Sequence, residues 1–243
     1  MRGELTTHSE TNSWMEALDR YSYFVDLSDY EERIRFPDYF SRVIGGDRRS
    51  TIEFEDYFRR NAQRSIEVYF EVIFWKLYSQ TMIRQKSTSR IINNMLEEEV
   101  DPRILYDAIA RFITTPNVEN LKDFRKLFGI KTNVLAVSLT FPAFLSPQRY
   151  PMVDNNVAGW VNENHTKHNR NRHAKLTPFS FGHTSLRDND FHNCLNWVNW
   201  CREMAEVLRK GSKFKWRPRD VEMAVFTSYR CKRHGKPIEL SVI

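Results

Sequence analysis

From Gly129 to Trp160 the chain reads GIKTNVLAVSLTFPAFLSPQRYPMVDNNVAGW. Gly129 breaks whatever helix precedes it. From Lys131 to about Thr140 the sequence is apolar on most sides (Val134, Leu135, Val137, Leu139), which predicts a buried helix. Pro142, Pro147 and Pro151 then predict a loop from Phe141 to Met152. Asp154 is a favoured N-cap residue, so a second helix is expected from there to about Asn162.

Working outward, the pattern stays helical. Val68, Val72, Trp75 and Ser79 recur at helical spacing and predict a helix over 66–82, with Ser65 as its cap. Ile91, Ile92, Met95 and Leu96 mark a helix over 87–98. Asp101 followed by Pro102 opens another, because proline suits the first helical position. A helix over 118–128 follows Pro116. Asp188 or Asp190 caps one that runs to about Lys210, and Arg217-Pro218 opens the last, over 219–230. Residues 1–13 read as a flexible leader, 14–43 as one or two short helices, and 163–187 as a long polar, basic and His-rich loop. No strand pair is evident, and the fold class is all-α.

Composition narrows the function classes. The chain of 243 residues is 41% hydrophobic and 28% charged, which fits a globular protein. It has only 8 glycines, which disfavours glycine-rich phosphate loops and turn-rich β-sandwiches. The net charge of +6 suits an acidic polymer partner. No apolar run approaches the ~20 residues that cross a bilayer, and the N-terminus lacks the apolar core of a secretory signal. Cys194, Cys201 and Cys231 are too few for a disulfide framework, so a reducing, intracellular setting is expected. His165, His168, His173, His183 and His192 match no compact zinc pattern, and no metal is expected.

The central segment resembles endonuclease III-like and 8-oxoguanine DNA glycosylases of the helix-hairpin-helix superfamily. Gly129-Ile130-Lys131-Thr132 is similar to the Gly-x-Lys turn that opens a buried helix in that family. Pro151-Met152-Val153-Asp154 is similar to the Val-Asp that starts the next helix. Leu77-Tyr78-Ser79-Gln80-Thr81 is similar to an upstream Ser-Gln stretch. The hairpin departs from the usual Leu-Pro-Gly-Val-Gly, because a gapless match puts Leu127 at the first glycine. Cys194 and Cys201 have the spacing of the first two ligands of the family's iron–sulfur motif, but the later pair is absent. No cluster, and no other cofactor, is expected.

The resemblance implies roles. Asp154 stabilises the positive charge that develops on the sugar as the glycosidic bond breaks, at a helix end that favours negative charge. Lys131 attacks the sugar's C1′ and forms a Schiff base, which permits strand cleavage. Backbone N–H groups around Phe128, Gly129, Ile130 and Lys131 hold a phosphate. Gln80 wedges into the duplex. Apart from the resemblance, the polar, basic loop itself is expected to set His168, Arg170, Arg172 and Lys175 against phosphates or solvent. The implied activity is excision of a flipped, damaged base such as 8-oxoguanine from double-stranded DNA by a monomeric glycosylase and lyase. A monofunctional glycosylase using Asp154 and water is one alternative; a non-catalytic helical DNA-binding protein and a helical protein of unrelated function are the others. The implied architecture is two helical lobes with a DNA and base cleft: a central bundle over 52–148, and a second lobe from 14–51 and 149–243.

Overall fold

The computed structural model describes residues 7–23, 46–77, 82–129, 135–170, 172–180 and 186–243. Among them the regular elements are helices: α1 (Thr7–Asp19), α2 (Arg48–Asn61), α3 (Glu67–Leu77), α4 (Met82–Glu97), α5 (Pro102–Thr114), α6 (Val118–Leu127), α7 (Leu135–Ser138), α8 (Thr140–Leu145), α9 (Asn155–His168), α10 (Phe191–Gly211) and α11 (Pro218–Arg233). A 3₁₀ turn, Asp188–Asp190, precedes α10, and an isolated bridge pairs Ser22 with Asp47. The described residues bear out the all-α class. None of their helices is long and apolar enough to cross a membrane.

The chain forms two compact units. One comprises Ser22–Asn133 and Thr140–Leu145; the other comprises Met1–Tyr21, Val134–Leu139 and Ser146–Ile243. In the first, α3 is apolar nearly all round and buried from Val68 to Leu77, as a core helix must be. Its two charged residues inside that span, Glu71 and Lys76, are buried with it. Lys76 Nζ lies 5.7 Å from the centre of the Tyr23 ring, whose hydroxyl donates to the Lys76 carbonyl at 3.1 Å. Around α3, which carries Tyr69, gather Phe58, Phe128, Phe141 and Phe144. Phe58 meets Tyr69 edge-to-face at 5.1 Å, and Phe128 stacks on Phe141 at 4.2 Å. Burying each such ring stabilises the unit by roughly 1.5–3 kcal/mol.

Here the structure corrects the predicted 141–152 loop. Thr140–Leu145 is a short core helix, and Pro142 is its third residue. The first four N–H groups of a helix have no partner within it, so proline costs nothing there. In the same unit Asp101 caps α5 by accepting from Arg103 N at 2.8 Å, with Pro102 at the first position. Gly129, at φ 59, ends α6 in the left-handed region.

In the second unit α11 is the central helix, packed by α1, α9 and α10. The stretch read as a leader belongs to a helix from Thr7 onward. Trp14 is fully buried and donates from Nε1 to the Ser241 carbonyl at 3.0 Å. α9 runs on to His168, beyond the predicted end near Asn162. In the polar segment that follows, residues 172–180 are held by side chains imitating a neighbouring strand. The Asn162 amide exchanges two hydrogen bonds with Phe179, at 2.9 and 2.6 Å. The Asn169 amide does the same with Leu176, at 2.8 and 2.7 Å. Glu203 accepts from His173 N and Ala174 N, and Asp190 from Ser180 N.

Candidate functional site

Asp154 is the best-defined candidate. The segment before it, Pro151-Met152-Val153, is buried, and Trp197 of α10 donates from Nε1 to the Met152 carbonyl at 2.8 Å. That bond fixes the peptide from which α9 starts. Asp154 has extended backbone (φ −146, ψ −175), and its Oδ1 accepts from Asn156 N at 2.9 Å and Val157 N at 3.0 Å. The carboxylate thus caps α9 by its side chain and lies in the field of the helix N-terminus. The residue is largely buried, 9% exposed.

Behind this segment lies a small apolar cavity of about 10 Å³, lined by Leu139, Tyr150, Pro151, Val153, Phe191 and Trp197 among others. It has room for about one water. It is packing space, far too small for a nucleobase.

The opening turn of α11 holds charges that the sequence singled out only as a helix start. Arg217 and Asp220 form a two-bond pair (Nη2–Oδ1 3.0 Å, Nε–Oδ2 3.1 Å), while Arg219 pairs with Glu222; all four are buried. Removing one member of a buried pair leaves a buried charge behind, which costs about 3–5 kcal/mol. The signal was present in Arg217-Pro218-Arg219-Asp220-Val221-Glu222, a charge-dense first turn leading into an apolar helix.

The other predicted site residues divide into three groups. Gln80, Ile130 and Lys131 lie outside the described residues. Arg170 and Lys175 are exposed; Lys175 Nζ donates to the Asn169 carbonyl at 2.7 Å. The remaining four require correction.

Phe128 is fully buried, and its N–H donates to the Arg125 carbonyl at 3.2 Å. The Gly129 N–H donates to the Lys126 carbonyl at 3.0 Å. Both amides close the end of α6 and so are not presented to a phosphate. Arg172 is only 9% exposed; it donates to the Ile243 carbonyl and pairs with Glu203 at 3.9 Å. His168 is buried among tryptophans, its ring centre 4.8 Å from Trp160, 6.1 Å from Trp200 and 6.2 Å from Trp14. Neither side chain is placed to touch DNA; each ties distant segments of one unit together.

The setting of His168 has a measurable consequence. Burial, aided by the nearby Lys167 and Arg172 charges, pushes its pKa from 6.5 down to about 4. The folded protein therefore holds it neutral while the unfolded chain takes up a proton first. Its contribution is complete above pH 6.5 and is lost as the pH falls toward 4, about 3 kcal/mol in all. A His168→Phe variant should lose this acid sensitivity. Denaturant unfolding at pH 7 and pH 4 checks it: the stability difference between variant and parent should change by that amount, and an unchanged difference contradicts the assignment.

Among the described residues no group of three or more His, Cys, Asp and Glu side chains could hold a metal ion. Cys194 and Cys201 are free and fully buried, with burial pushing both thiols well above their ordinary range. No family model, no curated protein and no solved structure matches the chain.

Proposed function

We propose that this protein is a DNA N-glycosylase of the helix-hairpin-helix superfamily that removes a damaged base from duplex DNA and cleaves the abasic strand. The observation that carries the reading is Asp154. It is a carboxylate held at a helix N-terminus by two backbone N–H groups, after a buried Pro-Met-Val segment clamped by Trp197. The net charge of +6 supports an anionic polymer as partner. The two-lobed arrangement with a cleft for DNA, implied by the resemblance, is part of this proposal.

The chemistry assigns two residues. The glycosidic bond breaks with its electron pair leaving on the base, and Asp154 stabilises the sugar cation that remains. The neutral amine of Lys131 bonds to C1′ and sheds a proton, giving an imine after the sugar ring opens. An oxidised purine is the favoured lesion, with oxidised pyrimidines next.

The test is a panel of duplexes, each with one lesion, incubated with the protein and borohydride. Borohydride reduces an imine to a stable amine, so a covalent protein–DNA adduct is expected, and Lys131→Ala should abolish it. Base release without an adduct would replace the lyase with the monofunctional mechanism. Neither product on any lesion would overturn the enzymatic reading and leave a non-catalytic DNA-binding protein.

A further inference from the structure

The Asp154 end of α9 has a cationic neighbour. α11 finishes with Arg230, Lys232 and Arg233 in its last turn, and His234 and Lys236 follow. Lys232, Arg233, His234 and Lys236 are exposed. Arg233 Nη1 lies within 3.4 Å of Asn156 Oδ1, in the first turn of α9 and two residues beyond Asp154. The approach depends on Gly159. A Cβ there would lie 2.5 Å from the Tyr229 ring, so a side chain at this position would force the ring or the helices to shift. Gly235, at φ 73, then turns the chain back, with Lys236 N donating to the Cys231 carbonyl at 2.9 Å. The turn keeps Lys236 beside the helix end. Within the cluster Lys232 is engaged by a carboxylate, Glu163, at 2.7 Å.

We propose that Arg233 and Lys236 form a phosphate clamp that grips the DNA backbone next to the nucleotide presented to Asp154. This rests on the glycosylase reading. The patch suits a polyanion rather than a single small anion: its cations are exposed and follow one another along a helix end. A duplex backbone, with a charge every few ångströms, fits such a row. The arginine suits bidentate phosphate contact, and Asn156 steadies it. These residues would bind and register the DNA without taking part in bond breaking.

The experiment uses the full chain with Arg233→Glu and Lys236→Glu combined. Duplex binding is followed by fluorescence anisotropy across a salt series, and excision by single-turnover base release at saturating protein. The double variant should bind about tenfold or more weakly, and the slope of log K against log salt should fall by about one for each phosphate no longer neutralised. Single-turnover release at saturation should stay within about twofold. Arg233→Lys should keep the salt slope of the parent but bind a few-fold more weakly, because lysine keeps the charge and loses the bidentate contact. Arg103→Glu, an exposed charge reversal on α5, is the control. Thermal unfolding should be the same for all, because the altered side chains are exposed.

Parent-like binding by the double variant overturns the clamp, and so does an equal loss in Arg103→Glu, which would mark a net-charge effect. Failure of the glycosylase reading looks different: the parent binds duplex, and the double variant binds less, yet no base is released from any lesion. A parent that binds no duplex overturns both.

Discussion

An Asp154→Asn variant is expected to fold as the parent does and to lose base excision by about 10²–10³-fold, the loss typical when an electrostatic partner of a transition state is removed. The two properties separate because the proposed function adds a second job to the cap that Asp154 provides. As a cap, its Oδ1 accepts from Asn156 N and Val157 N. The asparagine carbonyl oxygen can accept the same pair, and asparagine caps as well as aspartate. The stability change should therefore be a few tenths of a kcal/mol at most. As an electrostatic group, the carboxylate supplies a full negative charge that the amide lacks. Asp154→Ala removes both functions and should cost about 1 kcal/mol of stability besides activity. Single-turnover base release and thermal unfolding, measured on both variants, separate the two roles. Excision by Asp154→Asn within a few-fold of the parent would reduce Asp154 to a structural cap.

Gly129→Ala is expected to destabilise the protein by about 2–5 kcal/mol, from two independent sources. The backbone there has φ 59, where a side chain costs roughly 1–2 kcal/mol. In addition, a Cβ would lie 2.8 Å from Asn94 Nδ2 and 2.9 Å from Asn94 Cβ. A Cβ cannot swing aside as the end of a long side chain can, so α4 and the end of α6 must move apart. That overpacking adds roughly 1–3 kcal/mol. Asn94→Gly should recover part of the loss, because it clears the space, but the part due to φ should persist. Gly129→Asn is the converse probe: asparagine tolerates the left-handed region but still meets Asn94. Denaturant midpoints for the single and double variants test the division. An alanine variant as stable as the parent would show that this turn is not the constrained one described.

Signals that act within a few residues were legible in the sequence. Asp101-Pro102 opens α5 and Arg217-Pro218 opens α11 because cap and proline preferences arise from the helix end itself. Gly129 ends α6 because only a residue without a Cβ takes that conformation cheaply. Asp154 was legible as a cap for the same reason. Position within three residues is enough to define such roles.

What the sequence could not reveal depended on partners far along the chain. His168 and Arg172 read as residues of a polar loop, open to phosphate or solvent. The fold instead buries them, His168 against Trp14 and Trp200 and Arg172 against Glu203 and Ile243. Phe128 and Gly129 read as amides open to a phosphate, but both N–H groups close the end of α6. The basic end of α11 lies beside Asn156 because Gly159 admits Tyr229. The all-α class and the cap at Asp154 were thus set by local chemistry. Which charges are buried, and which stand beside Asp154, was decided only when packing brought distant segments together. Burial is a property of the assembled core, and no window of sequence contains it.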